Sequence, residues 1–191
     1  LTSITLPEGV TSIEESTFER CESLTSITLP EGVTSIGDYA FEHCEALTSI
    51  TLPEGVTSIG VSAFERCESL TSIMLPDGVT SIGKEAFYNC NSLTCVTIGK
   101  SVTSIEDDAF SKCIKLYEVY NKSDLTITAG SSDNGGVAYY AKNIYTDSEG
   151  TSKIKSVDDY IFYVDGEDIE LLAYIGDETS IILPSYYEGK G

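Results

Sequence analysis

The residues with the clearest capacity for chemistry are six cysteines and a single histidine. A thiol and an imidazole within hydrogen-bond reach could act as a nucleophile and its base. Five of the cysteines recur every 23 residues, which predicts one inward position of a repeated coil, filled by buried, reduced thiols. Coils about 4.8 Å apart would place the Cβ atoms slightly beyond the usual disulfide range. The five are Cys21, Cys44, Cys67, Cys90 and Cys113.

Cys95 is the cysteine outside this series, and it replaces a serine that should point outward. We therefore predict an exposed thiol, either reactive or a neutral replacement of serine. Its only possible imidazole partner is His43, which lies more than two repeats away, roughly 10 Å along a stack of coils. No metal, nucleotide or hydrolase motif occurs in the sequence. We expect no catalytic residue, no cofactor, no metal site and no enzyme activity.

Carboxylates also recur with the repeat, and two series would stack about 5 Å apart, close enough to share calcium. Calcium sites usually combine several oxygens from one loop, and no Asp-x-Asp-Gly arrangement recurs, so a solvated charge ladder is the favoured interpretation. The net charge of −20 disfavours nucleic acid and anionic membranes as partners. The two series are Glu8, Glu31, Glu54 and Asp77, and Glu22, Glu45 and Glu68.

The element that positions these residues is a 23-residue unit, and two copies, 24–46 and 47–69, match at 19 of 23 positions. A fixed period with L-x-x-I-x-L indicates a leucine-rich-repeat solenoid. In each coil we expect a short parallel strand on the concave face, with Ile27 and Leu29 inward. Leu29 to Gly32 fits a type I turn with proline second. The spacing of Ile36, Ala40 and Cys44 suits a short helical turn on a helical or irregular convex side.

The pattern frays after Leu116, where neither the proline corner nor the Ala-Phe pair follows. Residues 131–136 favour a loop, Val137 to Tyr145 a strand, and residues 160–175 around Asp165-Gly166 a β-hairpin. Residues 179–184 resemble the start of a further repeat. We expect a β-rich interruption with a hairpin after the array, in a piece of a longer protein. The predicted divisions are 1–116 for the array, 117–157 for a degraded repeat and β-rich interruption, and 158–191 for the hairpin leading into a further repeat.

The unit L-x-x-I-x-L-P-x-x-V-x-x-I-x-x-x-A-F-x-x-C, as in Leu47 to Cys67, resembles the repeat of BspA-like leucine-rich proteins over residues 1 to about 115. The resemblance implies a cell-surface or secreted protein, of bacteria or of some mucosal protozoa, that adheres to host proteins or other cells. A fold alone does not fix such a function.

Leucine-rich repeats usually bind through the concave face, where the early coils offer only serine and threonine hydroxyls. We predict partner contacts at the larger side chains of the later coils, unless those are merely solvent-facing strand residues. These candidates are Met74, Cys95, Glu118 and Tyr120. Ten of the twelve tyrosines follow residue 116, which indicates either a protein or glycan contact surface or half-buried strand residues.

We therefore expect a non-enzymatic, cell-surface or extracellular repeat module for protein binding or adhesion. Host extracellular or cell-surface proteins are the expected partners and glycans are possible ones. Nucleic acid and direct membrane insertion are not expected, since no stretch of about 18 apolar residues exists. The alternatives are a structural spacer or stalk, and carbohydrate binding through the tyrosine-rich segment.

Overall fold

The structure is a computed structural model that describes residues 2–146, 154–157, 160–165 and 168–174. The chain divides into two compact units, Leu1–Gly150 and Thr151–Gly191. A 3-10 helix spans Asn134–Gly136 and is the one helix among the described residues. The strands are β1 (Ser3–Thr5), β2 (Ser12–Ile13), β3 (Ser26–Thr28), β4 (Ser35–Ile36), β5 (Ser49–Ile50), β6 (Ser58–Ile59), β7 (Ser72–Met74), β8 (Ser81–Ile82), β9 (Cys95–Ile98), β10 (Ser104–Ile105), β11 (Glu118–Asn121), β12 (Asn143–Tyr145), β13 (Ile154–Val157), β14 (Tyr160–Asp165) and β15 (Asp168–Tyr174).

The first unit is a solenoid in which each coil of the repeat contributes two short parallel strands. The first strands of the coils form the sheets β1-β3-β5 and β7-β9-β11-β12. The second strands form the sheet β2-β4-β6-β8-β10, in which Ile36 lies opposite Ile13 and Ile59. The sequence predicted the first strand of each coil, whereas it identified Ile36 only as an inward contact. The leucine-rich-repeat solenoid is thus confirmed, with a second sheet added.

Threonine side chains reinforce the links between coils. Thr34 donates both its backbone N–H, at 2.9 Å, and its hydroxyl, at 3.1 Å, to the carbonyl oxygen of Thr11. Thr57 makes the same two bonds to Thr34, 23 residues earlier. A threonine before each Ser-Ile pair therefore satisfies two donors on one carbonyl of the preceding coil, which explains why the hydroxyl recurs with the repeat.

A column of phenylalanine rings and a column of cysteine thiols fill the centre of the stack. Adjacent rings lie 5.0–5.2 Å apart between centroids, with their planes within 14° of parallel. The thiol of Cys67 donates to the carbonyl oxygen of Phe41 at 3.3 Å, and burial raises its pKa well above the ordinary value. The predicted inward position of the cysteines is confirmed from Cys44 to Cys113, while Cys21 in the first coil is partly exposed. The stacked rings are Phe18, Phe41, Phe64, Phe87 and Phe110.

The corner of each coil differs from the predicted turn by one residue. The N–H of Val33 donates to the carbonyl oxygen of Pro30 at 3.1 Å, so proline occupies the first position of the turn and not the second. This register explains how the fifth coil keeps its corner without the Pro-Glu-Gly sequence. There Val102 donates to Gly99, and a Cβ atom at Gly99 would lie only 2.2 Å from the carbonyl oxygen of Pro76. Glycine therefore occupies this position because the neighbouring backbone lies so close to it.

The convex side consists of consecutive turns, so the irregular alternative is confirmed and the helical one is wrong. Tyr39 and His43 adopt left-handed backbone angles, with φ of 57° at both, which breaks any helical run. Between them, the N–H of Phe41 donates to the carbonyl oxygen of Ala63 in the next coil at 2.8 Å. Backbone donors that a helix would use internally are thus directed along the stack.

The stack continues through a sixth coil even though the sequence motif ends. β11 pairs in parallel with β9 on one side and with β12 on the other. The N–H of Phe110 donates to the carbonyl oxygen of Gly135 at 2.8 Å, just as Phe87 donates to Ala109 one coil earlier. The strand predicted over Val137 to Tyr145 is confined to its last three residues. The preceding residues form turns, and Val137 is buried in the core.

The second unit contains the antiparallel sheet β13-β14-β15. β14 and β15 pair from Asp165 with Asp168 to Tyr160 with Tyr174, so the predicted hairpin is confirmed. The predicted restart of the repeat at 179–184 lies outside the described residues. The boundaries at 116/117 and 157/158 stay a prediction.

Candidate functional site

The site is built on the outward side chains of β1, β3, β5, β7, β9, β11 and β12, which we call the strand face. Because the strands pair in register, equivalent side chains form straight columns across it. One column runs through Ser72, Cys95, Glu118 and Asn143. The next runs through Met74, Thr97, Tyr120 and Tyr145. The four predicted contact residues therefore lie together on three adjacent strands.

Two of these residues, Met74 and Tyr120, line a shallow depression of about 220 Å³ together with Thr97 and Lys122. The Met74 side chain is 62% exposed, which is unusual for a large apolar group on a strand. The half-buried Tyr120 ring stacks on Tyr145 with 4.7 Å between centroids. An exposed thioether, a supported aromatic ring and a lysine are thus presented side by side.

Lys122 was missed by the sequence reasoning, although one signal was available. It follows β11 directly, and in the preceding coil the equivalent residue after the strand is Gly99. A lysine at this position, in a strongly acidic chain, adds a positive charge next to the predicted contact residues.

The other two predicted residues occupy less accessible positions. Cys95 is half-buried, so its predicted exposure is wrong, and Glu118 is fully buried. The two residues lie directly opposite each other on the paired strands β9 and β11. Burial, followed by the neighbouring Glu118 carboxylate, raises the pKa of Cys95 to about 12. Since only the thiolate is a nucleophile, the raised pKa makes Cys95 a weak nucleophile near neutral pH.

Tyr120 is linked to the same buried group. Its hydroxyl lies 3.5 Å from a carboxylate oxygen of Glu118, and burial and Glu118 raise the pKa of the phenol. The hydroxyl is therefore a hydrogen-bond donor throughout the physiological range. Glu118 thus contacts the Tyr120 hydroxyl from the same strand, while Tyr120 and Met74 line the accessible depression.

The series of carboxylates from Glu8 to Asp77 is followed, at the equivalent position of the next coil, by Lys100. The Lys100 ammonium lies 3.0 Å from the Asp77 carboxylate, and this hydrogen-bonded contact lowers the pKa of Asp77. His43 contacts the Glu45 carboxylate at 3.2 Å, away from Cys95. Among the residues that the structure describes, no group of three or more His, Cys, Asp or Glu side chains is arranged to hold a metal ion.

The first half of the strand face carries smaller groups. Thr28 and Thr51 are exposed and line a hollow of about 320 Å³ at the corner of the second and third coils, with Glu31 and Glu54 at its edge. This hollow lies between near-identical coils and offers no large side chain to fill a pocket on a partner. Its volume exceeds that of the Met74 depression, but its chemistry is less distinctive.

The Asn121-Lys122-Ser123 sequence has the form of a glycosylation signal, yet its asparagine has a structural role. The Asn121 amide donates to the carbonyl oxygen of Leu125 at 2.8 Å and accepts from the Ser123 hydroxyl at 2.6 Å. The side chain is nearly fully buried and closes the turn after β11.

These coils, their ring stack and their strand face define a leucine-rich-repeat solenoid. The chain belongs to the BspA-type leucine-rich repeat family, since the model of the BspA type leucine rich repeat region matches residues 1–117 with six copies. No helix in the described parts of the chain is long and apolar enough to cross a membrane.

Several solved structures of bacterial leucine-rich repeat proteins are similar to this chain. One from Bacteroides ovatus is 37% identical, with a TM-score of 0.67 over 75% of this chain. The T. pallidum leucine rich repeat protein is 28% identical over 78%, with a TM-score of 0.66. A leucine rich cell surface protein from Faecalibacterium prausnitzii is 30% identical over 92%, with a TM-score of 0.60.

The chain spans only part of these proteins. It covers 37% of the Bacteroides ovatus chain, 71% of the T. pallidum chain and 55% of the Faecalibacterium prausnitzii chain. No curated protein sequence matches it.

Proposed function

We propose that this chain is a non-enzymatic adhesion module that binds a host extracellular or cell-surface protein through the later coils of its strand face. The observation that carries the proposal is the depression in which Met74, 62% exposed, lies beside the supported ring of Tyr120. Large exposed side chains with pre-set positions are the groups that contribute most to protein interfaces.

The two residues contribute in different ways. The Tyr120 ring is held by Tyr145 and by the contact of its hydroxyl with Glu118, so binding restricts little additional motion. Met74 has an unbranched, polarizable side chain that adapts to the shape of an apolar partner group. Lys122 at the edge of the depression favours a partner that places an acidic group beside its apolar contact.

Location at the cell surface is part of the same proposal. It is supported by membership of the BspA-type family and by the similarity to a leucine rich cell surface protein of Faecalibacterium prausnitzii. Repeat modules of this type present extended faces to protein partners.

The test is saturable binding of the chain to immobilised extracellular-matrix and host cell-surface proteins at physiological salt. The test variant is Met74→Ala with Tyr120→Ala, which removes both large groups of the depression. The matched control is Thr28→Ala with Thr51→Ala, which changes the same face in earlier coils. Far-UV circular dichroism and thermal unfolding establish that each variant is folded.

We expect binding by the native chain and by the threonine control, with at least about a tenfold loss in the Met74, Tyr120 variant, since two central contacts are removed. Equal binding by all three forms would place the interface elsewhere. Absence of binding to any of these proteins would favour the alternative of a structural spacer, in which the repeats only separate other parts of a longer protein.

A further inference from the structure

We propose a second binding site, for a neutral glycan, in a hollow formed by Tyr139, Tyr140 and side chains of the fifth coil. It is separate from the strand face and goes beyond the proposed protein binding. The hollow measures about 300 Å³, at the small end of the range for ligand sites and suited to one end of an oligosaccharide.

The two tyrosines are more exposed than the other tyrosines between residues 117 and 145. Tyr139 is 54% exposed and Tyr140 39% exposed, whereas Tyr117, Tyr120 and Tyr145 are partly buried. The rings of Tyr139 and Tyr140 are 4.9 Å apart and nearly perpendicular, at 79°. They thereby form two walls of an exposed corner, in which an aromatic face is available to stack on the apolar face of a sugar ring.

Glycine lines the hollow beside these rings. Gly135 and Gly136 have φ of 62° and 75°, a conformation that favours glycine. A Cβ atom at Gly135 would lie 2.5 Å from the carbonyl oxygen of Glu106 and 2.8 Å from the Cβ atom of Ala109. The sixth coil can approach the fifth only because this side chain is missing, and the same glycines leave room beside the tyrosines.

Polar groups complete the lining at short range from the rings. Asp108, Ser111, Lys112 and Ser132 contribute a carboxylate, two hydroxyls and an ammonium group. The Ser111 hydroxyl donates to the Asp108 carboxylate at 2.6 Å, which fixes the orientation of the acceptor. The Lys112 ammonium lies 4.8 Å from the centre of the Tyr88 ring in the preceding coil.

This combination matches a sugar better than a peptide side chain. A pyranose has an apolar C–H face and a periphery of hydroxyl groups, each of which both donates and accepts hydrogen bonds. The tyrosine faces fit the first feature, and the carboxylate and hydroxyls fit the second. Phe110 also lines the hollow but is almost fully buried, and no aliphatic side chain contributes, so the accessible apolar surface is that of the two tyrosine rings.

The surroundings indicate a neutral sugar. Asp107, Asp108 and Asp133 line an adjoining hollow, and the chain carries a net charge of −20. Sialic acids and uronic acids would be repelled by these carboxylates, whereas hexoses and N-acetylhexosamines would not.

The experiment is a titration of the full chain with neutral oligosaccharides and their sialylated counterparts, followed by saturation-transfer NMR and calorimetry. Tyr139→Ala and Tyr140→Ala should each weaken binding of the neutral sugar about tenfold, by loss of a stacking face. Tyr139→Phe keeps that face and should bind within about twofold of the native chain, because stacking does not need the hydroxyl. Asp108→Asn should weaken binding several-fold, and asparagine tolerates the left-handed conformation at that position.

Two controls separate this site from others. Tyr39→Ala removes an exposed tyrosine of the second coil and should leave glycan binding unchanged. The Met74→Ala, Tyr120→Ala variant should also bind the glycan normally, so failure of one proposal does not imply failure of the other.

The proposal is overturned if no neutral glycan gives saturable binding at millimolar concentration, or if sialylated glycans bind more tightly. Undiminished binding in Tyr139→Ala overturns it as well. If either alanine variant loses its thermal unfolding transition, the test depends on Tyr139→Phe and Asp108→Asn. Native glycan affinity in Tyr139→Phe together with reduced glycan affinity in Asp108→Asn supports the site. Any other pair of results refutes it.

Discussion

Replacing Phe64 by alanine tests the ring column that fills the centre of the solenoid. Phe64 is fully buried and stacks on Phe41 at 5.1 Å and on Phe87 at 5.2 Å. Deleting a buried phenylalanine side chain costs about 3–5 kcal/mol of the free energy of unfolding. Two stacked partners are lost here, each contributing roughly 0.5–1.5 kcal/mol beyond burial, so we expect about 4–5 kcal/mol.

Phe18→Ala is the matched control at the start of the array. Its ring is 6% exposed, and its one stacked neighbour among the ring pairs is Phe41. Removing it should cost about 0.5–1.5 kcal/mol less than removing Phe64, since one stacking contact is lost in place of two. The difference in lost unfolding free energy between the two variants therefore measures the stacking between rings and not the burial of phenylalanine alone.

The assay is urea unfolding followed by far-UV circular dichroism and tyrosine fluorescence, because the chain has no tryptophan. Coincident transitions from the two signals are required before a free energy is assigned, since repeat arrays can unfold in parts. A loss below about 1 kcal/mol for Phe64→Ala would refute the central position of the ring. Equal losses at Phe18 and Phe64 would refute the continuous column.

Three further predictions concern backbone contact, thiol reactivity and turn closure. Gly99→Ala should lower the free energy of unfolding by about 1–3 kcal/mol in urea titrations, because its Cβ atom would meet the Pro76 carbonyl oxygen. The control is Gly9→Ala, which should be near neutral, because no atom lies within 4 Å of the added Cβ. Cys95 should react with iodoacetamide at pH 8 about 10⁴-fold more slowly than a fully ionised thiol, judged by mass spectrometry, because burial and Glu118 raise its pKa to about 12. Asn121→Ala should lower the urea midpoint, equivalent to about 1–3 kcal/mol, because the Leu125 carbonyl and the Ser123 N–H, both partly buried, lose their side-chain partner.

The solenoid could be predicted from the sequence because one pattern, repeated in register, has only one efficient way to bury its apolar side. The inward cysteines and the Ala-Phe pair were accessible to this reasoning, since their spacing equals the period. Of the sixth coil, only the degraded repeat and its strand after Leu116 could be predicted in this way, and the rest of the coil could not. Its stacking depends on the Gly135 carbonyl and on buried Val137, which occupy the equivalent places without the repeated letters.

The convex side shows the limit of periodicity. A spacing of four at Ile36, Ala40 and Cys44 resembles a helical turn, but left-handed residues at Tyr39 and His43 direct donors to the next coil. Such backbone angles at tyrosine and histidine have no clear signal in a single sequence. Whether this segment forms a helix or consecutive turns depends on hydrogen bonds between coils and not on local conformational preference.

The candidate site was predicted in part. Register alone placed Met74 and Tyr120 in one column, since both follow the start of a strand by the same number of residues. The burial of Glu118 could not be foreseen, because the equivalent residues of the earlier coils, Ser26, Ser49 and Ser72, are exposed. Tyr139 and Tyr140 stood within the tyrosine-rich segment, but only the turns of the sixth coil distinguish them as exposed.

The most direct test of the proposed interface uses the single methionine of the chain. Methyl-¹³C labelling of methionine gives one protein resonance from this sequence, at Met74, which can be followed while a purified matrix or cell-surface protein that binds the chain is added. We expect a saturable shift or broadening of that resonance in parallel with binding, and neither effect with a non-binding protein. Saturable binding that leaves the Met74 resonance unchanged would contradict an interface on the later coils of the strand face.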